Sequence, residues 1–212
     1  MKTILFDLDG TLIDSTEAIL ESFGVAYDTF GRAMPEEDTI KKLIGHPLDI
    51  MFMMLGIPHT QANAYVDAYK GHYRLISRQK TTLLPLAKEA VKLAATIGTL
   101  GIVTTKTASY SEELLEHLGI MHYFSVLIGR ESITHPKPHP EPILKALSHL
   151  KADATRTWMI GDTPLDLIAA HEAGVQGIGV LCGYGTKYDL QKHTSFVVND
   201  ALDAVKHITR FN

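Results

Sequence analysis

Short apolar runs recur along the chain and alternate with segments that carry apolar residues at helical spacing. The runs are apolar throughout instead of alternating with polar residues, which is typical of parallel strands covered by helices on both faces. The pattern therefore predicts an α/β fold with a three-layer, doubly wound parallel sheet. Strands are predicted at residues 3–8, 100–104, 126–128, 158–160, 177–181 and 196–198.

Capping signals predict where several helices begin and end. Ser109 stands three residues before a glutamate, which is the spacing of a capping box. Pro140 and Pro164 suit the first turn of a helix. Gly119 and Gly174 are predicted to end the helices that precede them.

The interval between the first two predicted strands is far longer than one crossover helix requires. It lacks convincing strand patterns, and glycine and proline separate four segments of helical spacing within it. We therefore expect a small all-α domain, here called the cap domain, at residues 15–81. Residues 1–14 and 82–212 would form the core domain. The helical segments of the cap domain are predicted at residues 15–30, 36–44, 48–55 and 60–78.

Composition and charge exclude several classes of protein. A chain of 212 residues with 45% hydrophobic and 21% charged residues can bury a full core. The formal net charge of −4 argues against a nucleic-acid partner held by bulk electrostatics, so a small ligand is expected. No apolar segment approaches the roughly 18 residues of a membrane span. Cys182 has no second cysteine to pair with and no export signal opens the chain, which together predict a cytoplasmic protein. The sequence is compatible with a monomer and with a homodimer.

Two acids, Asp7 and Asp9, follow the first predicted strand within the segment Asp-Leu-Asp-Gly-Thr. Side chains two positions apart on an extended strand share a face, so the two carboxylates converge unless the chain turns between them. Two like charges about 4 Å apart repel by roughly 4 kcal/mol at an effective dielectric constant of about 20. A cation, a shared proton or a reaction would compensate this repulsion. The alternative is a pair of solvated acids in an Asp-Gly turn.

A second pair of acids, Asp162 and Asp166, follows the predicted strand at residues 158–160. Asp162 would occupy the N-cap region of the next helix, with Asp166 four positions on at the positive end of the helix dipole. Ligands of parallel α/β sheets collect at the carboxyl ends of the strands, so the four acids are expected to share one crevice. All-oxygen ligands favour a hard cation, and Mg²⁺ suits a site that also contacts a phosphate. A helix cap plus a solvated acid is the structural alternative.

Two further loops offer groups that bind phosphate. Thr104 and Thr105 follow a predicted strand and provide a hydroxyl and exposed backbone N–H groups. Lys137 stands between prolines that restrict its loop, so its ammonium could be aimed at the acids and at a phosphoryl group. Each loop, taken alone, could also be merely a polar surface loop. His135 and His139 beside the lysine are interpreted as surface histidines and not as a metal pair.

The order and spacing of these motifs resemble the haloacid dehalogenase superfamily, in particular its small-cap phosphatases similar to phosphoglycolate phosphatase. The segment 7–12 looks like the first motif of that family, Thr104 the second, Lys137 the third and the segment 161–166 the fourth. The inserted helical cap domain is also similar. Thr105 departs from the commonest pattern, because many relatives carry asparagine there.

The resemblance implies a phosphoric monoester hydrolase that acts on a small phosphorylated metabolite through an aspartyl-phosphate. Asp7 would attack phosphorus, and Asp9 would donate and later accept a proton. Thr104, Thr105 and Lys137 would hold the phosphoryl oxygens. Mg²⁺ would be bound by Asp7, the backbone carbonyl of Asp9, Asp162 and Asp166. A pyrophosphatase, a sugar-phosphate phosphatase or phosphomutase, and a non-catalytic sensor of phosphorylated ligands are the alternatives.

Overall fold

The computed structural model describes residues 1–211, and a six-stranded sheet forms its centre. Within these residues the strands are β1 (Lys2–Phe6), β2 (Ile13–Asp14), β3 (Thr82–Leu83), β4 (Gly98–Val103), β5 (Phe124–Ile128), β6 (Thr157–Gly161), β7 (Gln176–Val180) and β8 (Val197–Val198). The large sheet has the order β5-β4-β1-β6-β7-β8, and every neighbouring pair in it is parallel. All six predicted strands are therefore present, and the predicted fold class is confirmed.

Helices cover both faces of the large sheet and form the cap domain. They are α1 (Thr16–Thr29), α2 (Glu37–Lys41), α3 (Leu48–Met54), α4 (His59–Ile76), α5 (Ala87–Ile97), α6 (Ala108–His117), α7 (Glu141–Leu150), α8 (Pro164–Glu172), α9 (Lys187–Leu190) and α10 (Ala201–Thr209). Short 3₁₀ helices lie at Met121–Tyr123, Arg130–Ser132 and Ala154–Arg156. In the described part of the chain, none of the helices is both long and apolar enough to cross a membrane. A cytoplasmic location stays a prediction.

The side chains of β1 show why the sheet has three layers. Ile4 and Phe6 point to one face and pack with residues of α5, α6 and α10. Leu5 points to the opposite face and packs with residues of α7 and α8. Since β1 is buried from both sides, a continuous apolar run fits this position better than an alternating one.

The cap domain has its own aromatic core between α1 and α4. Phe23 contacts Phe52 at 4.7 Å and Tyr69 at 5.2 Å between ring centroids. Tyr65 and Tyr73 are buried in the same cluster. The domain boundaries at residues 15 and 81 stay a prediction.

A small antiparallel sheet lies between the first two predicted strands, where the sequence predicted no strand. Strands β2 and β3 pair Ile13 with Leu83 and Asp14 with Thr82, one at each end of the segment that contains the cap helices. Strands of two residues are too short for any hydrophobic period to reveal them.

The predicted start of α6 and the predicted N-cap residue of α8 are wrong, by two residues and by one residue respectively. Helix α6 begins at Ala108, because the backbone N–H of Ala108 donates to the carboxylate of Glu131 from another loop at 2.9 Å. Ser109 therefore lies inside the helix. Helix α8 has Thr163, and not Asp162, at its N-cap position. Pro164 does begin α8 as predicted.

The predicted helix ends at Gly119 and Gly174 are confirmed. Both glycines come two residues after the last residue of a helix, and both have φ of +71°. Glycine adopts this left-handed conformation without the steric cost that a side chain brings.

Candidate active site

The candidate site residues meet at the carboxyl ends of three adjacent strands. Asp7 follows β1, Thr104 follows β4 and Asp162 follows β6 by one residue each, and β1 lies between the other two strands. Lys137 reaches the same edge from the loop before α7, where its ammonium donates to the carbonyl of Val103 at 3.0 Å. The parallel topology thus brings together residues that are far apart along the chain.

Lys137 joins two of the acids in a buried ion-pair network. Its Nζ lies 2.8 Å from Oδ1 of Asp7 and 2.5 Å from Oδ1 of Asp166. Burial raises the pKa of Asp7 from 3.8 to about 7, since Lys137 opposes this effect only in part and the charge of Asp166 adds to it. Burial disfavours the charge on Lys137, but the two carboxylates outweigh burial and raise its pKa.

Asp162 completes a cluster of three acids. Carboxylate oxygens of Asp7, Asp162 and Asp166 lie within 4.8 Å of one another. Asp162 accepts hydrogen bonds from the Thr11 hydroxyl at 3.1 Å and from the backbone N–H of Tyr184 at 2.8 Å. Burial, followed by the charges of Asp166 and Asp7, raises the pKa of Asp162. The arrangement therefore brings three acids together in a buried place, where burial and mutual repulsion disfavour their ionised forms unless a cation is bound.

Gly10 allows the chain to pass close to this cluster. Its φ is +81°, and a Cβ at this position would lie 2.8 Å from Cγ of Asp162. Any side chain here would displace the carboxylate of Asp162, so the turn after the first two acids requires glycine.

Asp166 has a structural role at the start of α8 in addition to its contact with Lys137. Its Oδ2 accepts from the backbone N–H of Thr163 at 3.1 Å and from the Thr163 hydroxyl at 2.7 Å. Because both oxygens have partners, the carboxylate is fixed in orientation and in turn positions the ammonium of Lys137.

The chain turns directly after Leu8, and the carboxylate of Asp9 has different partners from that of Asp7. The backbone N–H of Leu12 donates to the carbonyl of Leu8 at 2.9 Å and closes this turn. Asp9 instead lies 3.2 Å from the Nζ of Lys106 and accepts a hydrogen bond from the Ser15 hydroxyl. The two acids that could have shared one face thus pair with different lysines.

The sequence reasoning missed Lys106 as a partner of Asp9. Its ammonium also donates to the hydroxyl of Tyr73 on α4 at 3.0 Å and lies 4.5 Å from the centre of that ring. Burial disfavours its charge, but Asp9 and Tyr73 outweigh burial and raise its pKa. The available signal was its place in the loop after β4, next to Thr104 and Thr105.

Thr104 and Thr105 lie in that loop in different surroundings. The buried hydroxyl of Thr104 accepts from the backbone N–H of Lys106 at 3.2 Å. The hydroxyl of Thr105 donates to the carbonyl of Gly45 in the cap domain at 3.0 Å. Thr105 therefore connects the two parts of the molecule through its side chain.

The backbone of Tyr184 also belongs to the site. Its N–H donates to the carboxylate of Asp162, and its hydroxyl lies 2.8 Å from the Thr16 hydroxyl. A contact made by a backbone N–H cannot be predicted from the residue type, because every residue except proline has this group.

A cavity of about 300 Å³ lies beside Asp9, between the cap and core domains. The turn formed by Gly45 and His46 lines the cavity from the cap domain, and Arg130 lines it from the core. Burial lowers the pKa of His46. Arg74 on α4 lies outside the cavity, where its guanidinium hydrogen-bonds to Tyr110 of α6.

The proline-rich loop around Lys137 is held from outside by Glu141. The carboxylate of Glu141 accepts from the backbone N–H groups of Thr134 at 2.7 Å and His135 at 2.8 Å. His135 and His139 are exposed, and their ring centroids are 4.7 Å apart. The loop therefore keeps its shape through contacts that do not involve the buried acids.

Comparisons with known proteins agree with this architecture. The family described as haloacid dehalogenase-like hydrolase matches residues 4–180. The chain is 34% identical to "Probable phosphatase IndB" of Dickeya dadantii, covering 95% of this chain and 90% of the relative. It is 32% identical to "Pyrophosphatase PpaX" of Oceanobacillus iheyensis, covering 97% and 95%. A solved structure titled a predicted phosphoglycolate phosphatase, from Haemophilus somnus 129pt, superposes with a TM-score of 0.85 at 25% identity and covers 98% of this chain and 97% of that chain. Because the match extends over nearly the whole length, the chain belongs to the haloacid dehalogenase-like hydrolase family, as one of its phosphatases.

Proposed function

We propose that this enzyme hydrolyses small phosphate monoesters with the help of Mg²⁺ and through an aspartyl-phosphate on Asp7. The observation that carries the proposal is the buried cluster of Asp7, Asp162 and Asp166 around Lys137, at the edge of the sheet where ligands collect. The relatives named as phosphatases support the same reaction class.

The donor set of the cluster fits a divalent cation. Three buried acidic groups lie close together, and only Asp7 and Asp166 pair with Lys137, so full ionisation of the cluster requires a further cation. All donors are oxygens, which suits a hard cation such as Mg²⁺. Asp7, Asp162 and the backbone carbonyl of Asp9 would hold the ion, with Asp166 in or beside that shell. When bound, Mg²⁺ would neutralise charge on the phosphoryl oxygens.

Asp7 is the proposed nucleophile. One of its carboxylate oxygens attacks phosphorus, and the bond between phosphorus and the alcohol oxygen breaks. Asp9 donates a proton to the departing alcohol. Asp9 then accepts a proton from the water that attacks the aspartyl-phosphate, and inorganic phosphate leaves with Asp7 restored.

The phosphoryl oxygens would be bound by Lys137 and Thr104, both buried at the carboxyl ends of the strands. Thr105 would contribute its backbone N–H group, since its hydroxyl is already bonded to Gly45. Fixed donors of this kind act mainly by positioning and by stabilising charge in the transition state.

The names of the relatives make phosphoglycolate and pyrophosphate the reference substrates. A phosphomutase would use the same nucleophile but transfer the phosphoryl group instead of releasing it. Release of inorganic phosphate distinguishes hydrolysis from transfer.

The experiment compares the wild type with two chemically identical substitutions. Asp7→Asn should reduce Mg²⁺-dependent phosphate release to the background rate, while Asp67→Asn on the exposed surface of α4 should leave it unchanged. Acid quenching during turnover of labelled substrate should leave the label on the wild-type protein at Asp7. Substantial hydrolysis by a clean Asp7→Asn preparation would rule out this nucleophile.

A further inference from the structure

We propose that the substrate is a phosphate monoester of a bulky, ring-bearing alcohol, for which a nucleoside 5′-monophosphate is the representative probe. Phosphoglycolate and pyrophosphate would then be poor substrates. This inference rests on the proposed function, because it concerns the leaving group of that same reaction. The cavity beside Asp9 carries the argument.

The cavity lies where the leaving group must be. It adjoins Asp9, the proposed proton donor to the departing alcohol, and Lys106. The cap domain encloses it, since Thr105 bonds to Gly45 and Lys106 bonds to Tyr73 across the boundary between the two domains. The space therefore lies between the two domains, which these contacts hold together.

The size of the cavity exceeds what the reference substrates need. Its volume of about 300 Å³ falls within the range of about 300–1,000 Å³ that is typical of small-molecule pockets. The two-carbon acid released from phosphoglycolate, or the phosphate released from pyrophosphate, would leave most of this space to water. A sugar with an attached ring would fill it.

The walls of the cavity are chemically suited to a ring. The cap domain contributes the aliphatic side chains of Ile19, Ile44, Met51 and Val66. Tyrosines line it as well, at positions 69, 73 and 110. Apolar and aromatic surfaces favour the face of a planar ring.

Polar groups converge on the same space from both domains. Asn63 and Lys70 line it from α4, and Arg130 lines it from the core. Half-buried His46 lines the cavity too, and burial lowers its pKa, which favours the neutral imidazole that can both donate and accept a hydrogen bond. Such groups match the hydroxyls and ring heteroatoms of a nucleoside-like alcohol.

The test measures kcat/KM for four substrates with Mg²⁺: adenosine 5′-monophosphate, ribose 5-phosphate, phosphoglycolate and pyrophosphate. The first two share the phosphorylated sugar and differ only in the base. We expect adenosine 5′-monophosphate to exceed ribose 5-phosphate by about tenfold or more, because stacking of the ring adds to binding. Equal or better turnover of phosphoglycolate or pyrophosphate would overturn this inference alone. No hydrolysis of any of the four would overturn the proposed function itself.

Variants of α4 locate the effect in the cavity. Val66→Trp fills the space, whereas Ala64→Trp places the same side chain on the exposed side of the helix. Val66→Trp should lower the ratio of kcat/KM for adenosine 5′-monophosphate to that for ribose 5-phosphate by about fivefold or more, and Ala64→Trp should preserve it. Asn63→Trp, at the exposed rim of the cavity, replaces Val66→Trp if that variant does not fold. A ratio unchanged by the filling variants would contradict the proposal.

Discussion

Lys137 compensates the repulsion between two neighbouring buried acids, Asp7 and Asp166. Its ammonium lies between the buried carboxylates of Asp7 and Asp166. Removing one member of a buried ion pair leaves uncompensated charge and typically costs about 3–5 kcal/mol. We therefore expect Lys137→Met to lower the free energy of unfolding of the metal-free protein by about 3–5 kcal/mol, as measured by urea denaturation near neutral pH.

A matched substitution at the surface separates this effect from the loss of any lysine. Lys206 pairs with Asp203 on α10 at 3.4 Å, and both side chains are exposed. Exposed pairs contribute about 0–1 kcal/mol, so Lys206→Met should change the free energy of unfolding by no more than that. Similar losses in the two variants would contradict the role assigned to Lys137.

Glu141 gives a pH dependence with a defined sign. Hydrogen bonds from the backbone N–H groups of Thr134 and His135 lower its pKa from 4.5 to about 2. The ionised carboxylate therefore stabilises the folded protein fully above the unfolded pKa of 4.5, and this contribution is lost as the pH falls towards 2. The difference in free energy of unfolding between wild type and Glu141→Gln should narrow from about pH 5 to about pH 3 in urea titrations. A difference that widens towards acid would show that the carboxylate is not the stabilising form.

Residue type and position along the chain were enough to identify some of the candidate site. Asp7 and Asp162 each follow a strongly apolar strand, and proline marks the loop of Lys137. The contacts of Lys106 were not predictable, because they depend on the turn after Leu8 and on a tyrosine from the cap domain. Pairing of charges across domains is a tertiary property that local sequence does not contain.

The turn between α2 and α3 is the element that brings the cap domain onto the core. Gly45 in this turn has φ of +110°, and a Cβ there would lie 3.1 Å from Cγ2 of Thr163. Its carbonyl accepts from the Thr105 hydroxyl. Gly45→Ala should therefore push the turn away from the core and raise KM for a phosphate monoester several-fold in steady-state kinetics.

Gly56 provides the control for backbone strain alone. It follows α3 with φ of +86°, and a Cβ there would meet nothing within 4 Å. Both alanine variants should lose about 1–2 kcal/mol of stability from the unfavourable backbone conformation. Only Gly45→Ala should change KM, and equal changes in KM would indicate that the contact with Thr163 is unimportant.

Long helices and strands with strong local signals could be predicted from the sequence, whereas short ones that depend on distant residues could not. Helix α4 was expected at residues 60–78 and runs over His59–Ile76, because its apolar spacing persists through several turns. The start of α6 depends instead on Glu131 from another loop, which no local pattern encodes. Strands β2 and β3 pair only two residues each and depend on the two ends of the inserted segment meeting in space.

At the scale of the whole molecule, the strand order brings motifs that are far apart in sequence into one site. The order β4-β1-β6 places three loop ends side by side, and the cap domain packs around a separate aromatic core above them. The sequence predicted this arrangement because parallel strands have a recognisable apolar pattern. It could not predict how closely the cap domain sits on the core, since polar contacts such as that from Thr105 to Gly45 hold it there.

Divalent-cation binding should be linked to the stability of the whole protein. A ligand that binds only the folded state stabilises it by about 2.7 kcal/mol at 100 times its Kd. Titrating metal-free protein with MgCl₂ at constant ionic strength should therefore raise the free energy of unfolding of the wild type in urea denaturation. A wild type indifferent to MgCl₂ would refute the proposed metal site.

The stability of Asp162→Asn relative to the wild type should differ between metal-free protein and protein with added MgCl₂. Without metal it removes one of three mutually repelling buried carboxylates, so its stability should equal or exceed that of the wild type. With MgCl₂ it should gain little, because a neutral amide replaces a charged metal ligand. A general folding defect would lower stability in both conditions. Asp162→Asn should therefore be at least as stable as the wild type without metal and less stable than the wild type with MgCl₂. This change of order is expected only if Asp162 helps to bind the ion.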